Sequence, residues 1–272
     1  MASKQNHPFH LVELSPWPIL TSFSLFILAL GTVMFLHEYT GDRIVLITGT
    51  FALIVCMWCW WRDVILEGRE GKHHTEAVRD GLRIGMALFI ASEVMFFFAF
   101  FFSFFSSWLF PVGVLDNLWV VAKGVWPPEG IKTLDPWDIP LMNTLILLLS
   151  GTTVTWASYA IEHNDQKSSV TAIGLTVLLG ISFSLFQVYE YHHAAFGLGD
   201  GVYAANFYLA TGFHGLHVVI GNIFLAVCYF RAKKGHFVKG QGHLAFEFAA
   251  WYWNFVDVVW LFLFIFVYVI AR

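Results

Sequence analysis

The sequence predicts an all-α polytopic membrane protein with seven transmembrane helices. Of its 272 residues, 58% are hydrophobic and 12% are charged, whereas soluble domains carry about 25% charged residues. The mean hydropathy is +0.66, and uncharged runs of about 20 residues, enough to cross a hydrocarbon core, recur along the chain. We therefore expect a single integral-membrane domain over 1–272. The net charge of −4 shows no basic excess, which excludes a nucleic-acid partner.

The first two spans are predicted at 17–36 and 44–61, with a short polar turn between them. Ser15-Pro16 precedes the first span, and proline is tolerated in the first turn of a helix. The second span ends in Trp60 and Trp61, and tryptophan is typical of the membrane–water interface. The densest charged stretch, 62–83, follows and separates this span from the third.

The third predicted span, 84–110, carries one ionisable side chain, Glu93. Eight of the ten residues from Phe96 to Phe105 are phenylalanine, so this helix has no solvated face and neighbouring helices must cover it. A charged carboxylate near the middle of a bilayer is costly. We therefore expect Glu93 to be largely neutral, and either to have a partner or to face a wet cavity.

Four further spans follow a segment rich in proline and glycine, 111–140, which we interpret as a long ordered surface loop. Two of them are separated by a short polar turn and predict an antiparallel hairpin. The predicted bounds of the four spans are 139–161, 168–189, 202–230 and 248–271.

The lysines and arginines, fifteen in all, predict that the N-terminus lies on the inner side of the membrane, because positive residues accumulate there. With this orientation, the outer segments hold four of them: Arg43, Lys123, Lys132 and Arg272. The inner segments hold the other eleven: Lys4, Arg62, Arg69, Lys72, Arg79, Arg83, Lys167, Arg231, Lys233, Lys234 and Lys239.

Polar residues in the last two spans are predicted to be buried between helices: His214, His217, Glu247, Asn254 and Asp257. At about 100° per residue, the last three fall within about 80° of one another on a helical wheel. We expect this stripe to face protein. Glu190, like Glu247, is predicted to lie at a helix end.

His214 and His217, at positions i and i+3, allow two interpretations. Imidazole is the commonest metal ligand, so the two histidines could bind a metal or a haem. Alternatively, each hydrogen-bonds to Glu or Asp on an adjacent helix. We favour the second interpretation, because no third and fourth ligands appear at suitable spacing. We therefore predict no metal or haem in this chain, and interpret Cys56 and Cys59 as inert rather than as a redox or metal pair.

A mixed aromatic and basic cluster is predicted at the inner ends of the second and sixth spans. Such a cluster can hold an anionic phospholipid head group; alternatively, it is a solvated edge that only sets the topology. Its members are Trp60, Trp61, Arg62, Asp63, Glu67, His73, His74, Arg231, Lys233 and Lys234.

Seven motifs spread along the chain together resemble subunit III of the aa3-type cytochrome c oxidases. They cover nearly the whole chain, and they are long and rare. In order they are SPWP at Ser15, WWRD at Trp60, SEVMFF at Ser92, WPPEGI at Trp126, NTLILLLSG at Asn143, ATGFHGLHV at Ala210 and WYWNFVDVVWLFLF at Trp251.

The resemblance implies seven helices, arranged as two plus five around a lipid-filled cleft, with the N-terminus inside. It implies a non-catalytic subunit without a redox centre, which supports subunit I, holds phospholipids and assists proton uptake. The implied partners are subunits I and II, membrane phospholipids and a respiratory supercomplex. Haem a, haem a3 and copper would lie in the partner subunits. The implied location is the mitochondrial inner membrane or a bacterial plasma membrane.

Residue by residue, Glu93 resembles the family's intramembrane carboxylate, while Trp61, Glu67, His74 and Arg231 resemble residues around the cleft phospholipids. Asn254 departs from the family, which usually has histidine there. Ser158-Tyr159 replaces a usual histidine pair.

Two other functions fit the sequence. One is the equivalent subunit of a quinol oxidase, because electron entry lies on another subunit. The other, of a different class, is an independent ion or metal transporter that uses Glu93, His214 and His217. A transporter should be stable alone, whereas an oxidase subunit should copurify with haem-bearing subunits.

Overall fold

The computed structural model describes residues 9–70, 74–110, 125–237 and 243–270. Seven helices in these residues are long and apolar enough to cross a membrane, which confirms the predicted fold class. They are α1 (Trp17–Leu36), α2 (Asp42–Glu70), α3 (Glu76–Leu109), α4 (Ile139–Glu162), α5 (Gln166–His193), α6 (Val202–Lys233) and α7 (His243–Phe262), the last continued by a π-helix, Leu263–Ile270.

Helices α2 and α3 are longer than the predicted spans. They contain 29 and 34 residues, or roughly 43 and 51 Å at about 1.5 Å per residue. Most of the charged stretch 62–83 is therefore helical and not a loop. The reason is that hydropathy marks the depth of the hydrocarbon core, whereas the hydrogen-bond ladder of a helix continues into water.

The chain divides into two compact units, 1–81 and 82–272. In the first, which we call unit 1, α1 and α2 pack with their backbones in close approach. A Cβ atom at Gly31 would lie 2.5 Å from the backbone nitrogen of Leu46, and one at Gly49 would lie 2.5 Å from that of Leu28. Small residues permit such close packing of membrane helices.

The second, which we call unit 2, has α4, α5, α6 and α7 in cyclic contact, each packed against the next and α7 against α4. Two fully buried tryptophans of α7 lie inside this ring. Nε1 of Trp253 donates to Oγ of Ser150 at 2.8 Å, and Nε1 of Trp260 donates to Oγ1 of Thr144 at 2.9 Å. These bonds satisfy the indole groups, so both α7 rings can be buried against α4 without an unpaired donor.

Helix α3 joins unit 2 through long side chains. Phe97 and Phe104 are buried, and the ring of Phe104 packs 5.5 Å from that of Trp126, centroid to centroid. Oγ of Ser103 donates to Oδ1 of Asn206 at 2.7 Å. The predicted surface loop is thus packed against α3 at Trp126, while its residues 111–124 lie outside the described part of the chain.

The predicted hairpin of the fourth and fifth spans is confirmed, since α4 and α5 pack closely after a tight turn. Asp165 caps α5 by accepting hydrogen bonds from Oγ of Ser168 at 2.6 Å and from its backbone nitrogen at 3.0 Å. These bonds, the side-chain bond foremost, lower the pKa of the Asp165 carboxyl. The stabilisation that the cap gives is therefore fully present at pH values above the usual pKa of an aspartate. It is lost as the pH falls through the lowered pKa of Asp165.

Candidate functional site

Glu93 of α3 and His217 of α6 form a hydrogen-bonded pair within the membrane-spanning part of unit 2. Nε2 of His217 lies 2.9 Å from Oε2 of Glu93. The other ring nitrogen, Nδ1, lies 2.6 Å from the backbone oxygen of Phe213, one turn earlier in α6. The side chains of His217 and Glu93 are 10% and 21% exposed. The pair thus connects two helices and retains a small open edge.

The protonation of this pair follows from its partners. A carbonyl oxygen can only accept, so Nδ1 of His217 must carry a hydrogen. Nε2 then either accepts a hydrogen bond from a protonated Glu93 or, as part of an imidazolium, donates one to a carboxylate. Glu93 therefore has a hydrogen-bond partner on a neighbouring helix.

Aromatic rings surround the imidazole of His217. Its centroid lies 4.9 Å from that of Phe97, 6.0 Å from that of Phe96 and 6.2 Å from that of Tyr252. Such surroundings exclude water and strengthen a hydrogen bond relative to the same bond in solvent. The phenylalanine-rich stretch of α3 thus contributes the apolar wall of the pair.

His214 points to a different helix. Its Nε2 lies 3.2 Å from the backbone oxygen of Val256 in α7, and its ring packs against Phe183 and Trp260. His214 and His217 therefore have separate partners and do not converge on one ligand. In the part of the chain that the structure describes, neither belongs to a group of three potential metal ligands. These contacts support the hydrogen-bond interpretation for His217, whereas the partner of His214 is a carbonyl and not a carboxylate.

The prediction that Glu247, Asn254 and Asp257 form one buried stripe is wrong for Asn254. Asn254 is exposed and lies on the same edge of α7 as the exposed Val258. Glu247 is half-exposed and accepts from Nε of Arg83 at 3.0 Å. The helical wheel gives the relative angles of the three residues around α7 correctly. It does not show which side of α7 packs against other helices.

Asp257 is buried, on the side of α7 that faces α4. A Cβ atom at Gly151 of α4 would lie 2.8 Å from its Oδ2, so glycine makes room for the carboxyl group. Its other oxygen, Oδ1, has no hydrogen-bond partner among the described residues. Asp257 is therefore a buried carboxyl group beside Gly151 of α4.

The sequence interpretation did not recognise Glu190 as buried. It was predicted to lie at a helix end, and it does lie in the last turn of α5, which ends at His193, but it is only 2% exposed. Oη of Tyr268 donates to its Oε1 at 2.7 Å, and Nε2 of Gln187 donates to the same oxygen at 3.4 Å. The spacing of Gln187 and Glu190 is a signal that could have shown a polar face here.

The residues predicted to bind lipid fall in both units. In unit 1, Trp61 is 57% exposed, and Oε1 of Glu67 lies 2.7 Å from Nε2 of His10. The ring of His74 lies 5.8 Å from that of His10, centroid to centroid. In unit 2, the guanidinium of Arg231 lies over the ring of Phe237 at 5.2 Å. His73 is outside the described residues, and His10 was not singled out because no sequence pattern marks it.

The fold and these polar pairs define a class: a polytopic helical membrane protein in which the ionisable side chains Glu93, His217 and Glu190 hydrogen-bond to other helices of the same chain. Comparison with known proteins is more specific. The model of the family "Cytochrome c oxidase subunit III" matches residues 7–272. The chain therefore belongs to the cytochrome c oxidase subunit III family, and it is a subunit of the oxidase complex.

Individual relatives agree with this assignment. The chain is 63% identical over 266 residues to the probable cytochrome c oxidase subunit 3 of Rickettsia bellii (strain RML369-C), which covers 97% of this chain and 96% of that protein. It is 53% identical to cytochrome c oxidase subunit 3 of Prototheca wickerhamii, covering 97% and 98%. The subunit 3 of Arabidopsis thaliana is 50% identical, covering 98% of both chains. These relatives favour the oxidase over the transporter alternative.

Proposed function

We propose that the chain is a non-catalytic subunit of a proton-pumping aa3-type oxidase, in which subunits I and II carry haem a, haem a3 and copper. Family membership supports this proposal, as does the use of His214 and His217 as hydrogen-bond partners within the chain. The charge asymmetry of its loops supports an N-terminus on the matrix or cytoplasmic side. The membrane is the mitochondrial inner membrane or a bacterial plasma membrane.

The Glu93–His217 pair is the observation that carries the proposed contribution to proton uptake and to stability during turnover. It ties α3 to α6 through the hydrogen bond between the two side chains. Its partly open edge gives the carboxyl group access to its surroundings. A group of this kind supports a neighbouring proton pathway and stabilises the helices, while the oxygen chemistry takes place in a partner subunit.

Replacing Glu93 by glutamine should leave turnover near the wild-type value. The amide of Gln can donate to Nε2 of His217 as a protonated carboxyl does, so the link between α3 and α6 is kept. We expect altered proton-uptake efficiency or faster loss of activity during turnover, because the amide cannot release a proton. The measurement is protons released per electron in reconstituted vesicles, together with activity over time.

Glu162→Gln is the matched control, since Glu162 is exposed at the end of α4. It should leave both readouts unchanged. An obligatory proton carrier at Glu93 predicts instead that Glu93→Gln abolishes pumping. Complete loss of pumping in a normally assembled complex would falsify the supporting role proposed here.

We further propose that the chain holds structural phospholipids. The side chains that we assign to head-group binding are Trp61, Glu67 and His74 in unit 1 and Arg231 in unit 2. Each unit supports this proposal by itself: Trp61 is an exposed indole of α2, nine residues before that helix ends at Glu70, and Arg231 is a half-buried cation beside an aromatic ring. Interfacial tryptophan and juxtamembrane arginine are the side chains that suit an anionic head group.

Replacing Arg231 by alanine should lower the phospholipid retained after mild delipidation, because the head group loses a charge-assisted contact. Lys234→Ala is the control, since Lys234 lies exposed in the same turn region. Phosphorus analysis of the delipidated complexes gives the lipid stoichiometry. Equal retention in the wild type and in Arg231→Ala would count against a head-group site at Arg231.

A further inference from the structure

Three side chains from separate parts of unit 1 meet at one end of α2. His10 precedes α1, Glu67 lies in the last turn of α2, and His74 lies just before α3. Their ligand atoms, one from each residue, all lie within 4.8 Å of one another. We propose that His10, Glu67 and His74 form a binding site for a divalent cation of the zinc type.

The geometry is close to that of a metal site. Nε2 of His10 and Oε1 of Glu67 are already 2.7 Å apart, and their side chains are 14% and 33% exposed. The ring of His74 stands at 64° to that of His10. It also lies beside Gly68, where an added Cβ atom would be 3.8 Å from its Cε1. Ligands at about 2.0–2.2 Å from one zinc ion lie about 3.3 Å apart in a tetrahedron, so shifts of about an ångström complete the site.

The donor set selects the metal. Two imidazoles and a carboxylate suit zinc and other late first-row cations, whereas magnesium and calcium prefer oxygen ligands alone. The carboxylate also offsets part of the charge of a divalent ion. Three protein ligands leave a fourth position open to water or to an anionic oxygen. The site is therefore suited to exchangeable zinc and not to a closed structural ion.

The bound ion would fasten three pieces of chain that are distant in sequence. It would hold the segment before α1 against the end of α2 and the start of α3. The absence of a metal was predicted from the spacing of the membrane histidines His214 and His217, and neither of these belongs to the group formed by His10, Glu67 and His74. Zinc content and lipid content are measured separately, so the zinc content of each variant tests this site whether or not Glu67 and His74 also contact lipid.

The test uses the whole oxidase complex. Wild-type and variant complexes are stripped with a chelator, incubated with zinc chloride and desalted, and zinc is then measured by mass spectrometry. The wild type should retain one zinc ion more than His10→Ala or His74→Ala. Glu67→Gln should weaken zinc binding at least about tenfold, since even changes outside the ligand shell cost about 10- to 100-fold. X-ray absorption should show imidazole nitrogen around the additional zinc.

His163→Ala is the matched control, because His163 is an exposed histidine in the turn after α4. This variant should retain zinc as the wild type does. Excess magnesium should not displace the ion. Equal zinc in the wild type, His10→Ala and His74→Ala would overturn the site. If His10→Ala fails to assemble, the comparison with His74→Ala and Glu67→Gln decides the question.

Discussion

Replacing Trp253 by alanine is expected to destabilise unit 2 by about 3–5 kcal/mol, the usual cost of removing a large aromatic side chain from a packed core. The indole is fully buried and lies between two glycines. A Cβ atom at Gly180 of α5 would be 2.7 Å from its Cη2, and one at Gly221 of α6 would be 3.0 Å from its Cε3. Because both helices are shaped around this ring, alanine leaves a cavity that they cannot easily close.

Thermal denaturation of the purified complex, read as the temperature at which this subunit is lost, measures the effect. Trp156→Ala in α4 is the control, since Trp156 is 44% exposed and its removal leaves no internal cavity. Trp253→Phe should be intermediate, because it fills part of the volume but loses the bond to Ser150. An equal fall in this temperature for Trp253→Ala and Trp156→Ala would mean that Trp253 is not the core of the four-helix ring.

The second large effect is expected from Gly31→Ala. The added methyl group would lie 2.5 Å from the nitrogen and 2.6 Å from the Cα atom of Leu46, and backbone atoms cannot rotate away as a side chain does. Helix α1 must therefore move away from α2. Overpacking typically costs about 1–3 kcal/mol, and we expect a value at the upper end of this range.

Proteolysis of the turn between α1 and α2 and thermal loss of the subunit should both report this separation. Gly85→Ala in α3 is the matched control, since nothing lies within 4 Å of a Cβ atom there. Alanine favours a helix over glycine by about 1 kcal/mol, so this control should be neutral or stabilising. A Gly31→Ala subunit as stable as the wild type would show that the helices of unit 1 can separate without cost.

The number and order of the helices could be predicted because each span must be apolar along its whole length. The ends of the helices could not, because hydropathy stops at the membrane surface while α2 and α3 continue beyond it. The π-helix over Leu263–Ile270 was not predicted either. Its sequence, LFIFVYVI, contains neither proline nor glycine, so no residue type marks the change.

The sequence identified the residues of the site but not which of them would form hydrogen-bonded pairs. Glu93 and His217 were selected because ionisable groups in membranes need partners, yet nothing in the sequence states how α3 and α6 are rotated against each other. The rotation of α7 about its own axis is likewise not stated by the sequence, which explains the error at Asn254. His10 was not recognised, because its contact with Glu67 joins positions far apart in the chain and has no periodic signature.

The electric field of the Glu93–His217 pair constrains how it can influence the rest of the oxidase. A proton passed from Glu93 to His217 would convert a neutral acid and base into opposite charges whose heavy atoms are 2.9 Å apart. This change creates a dipole but no net charge, and the field of a dipole decays faster with distance than that of a single charge. Distant redox centres would therefore sense little of the transfer directly. A transfer confined to the pair would therefore act over long range only through movement of α3 and α6.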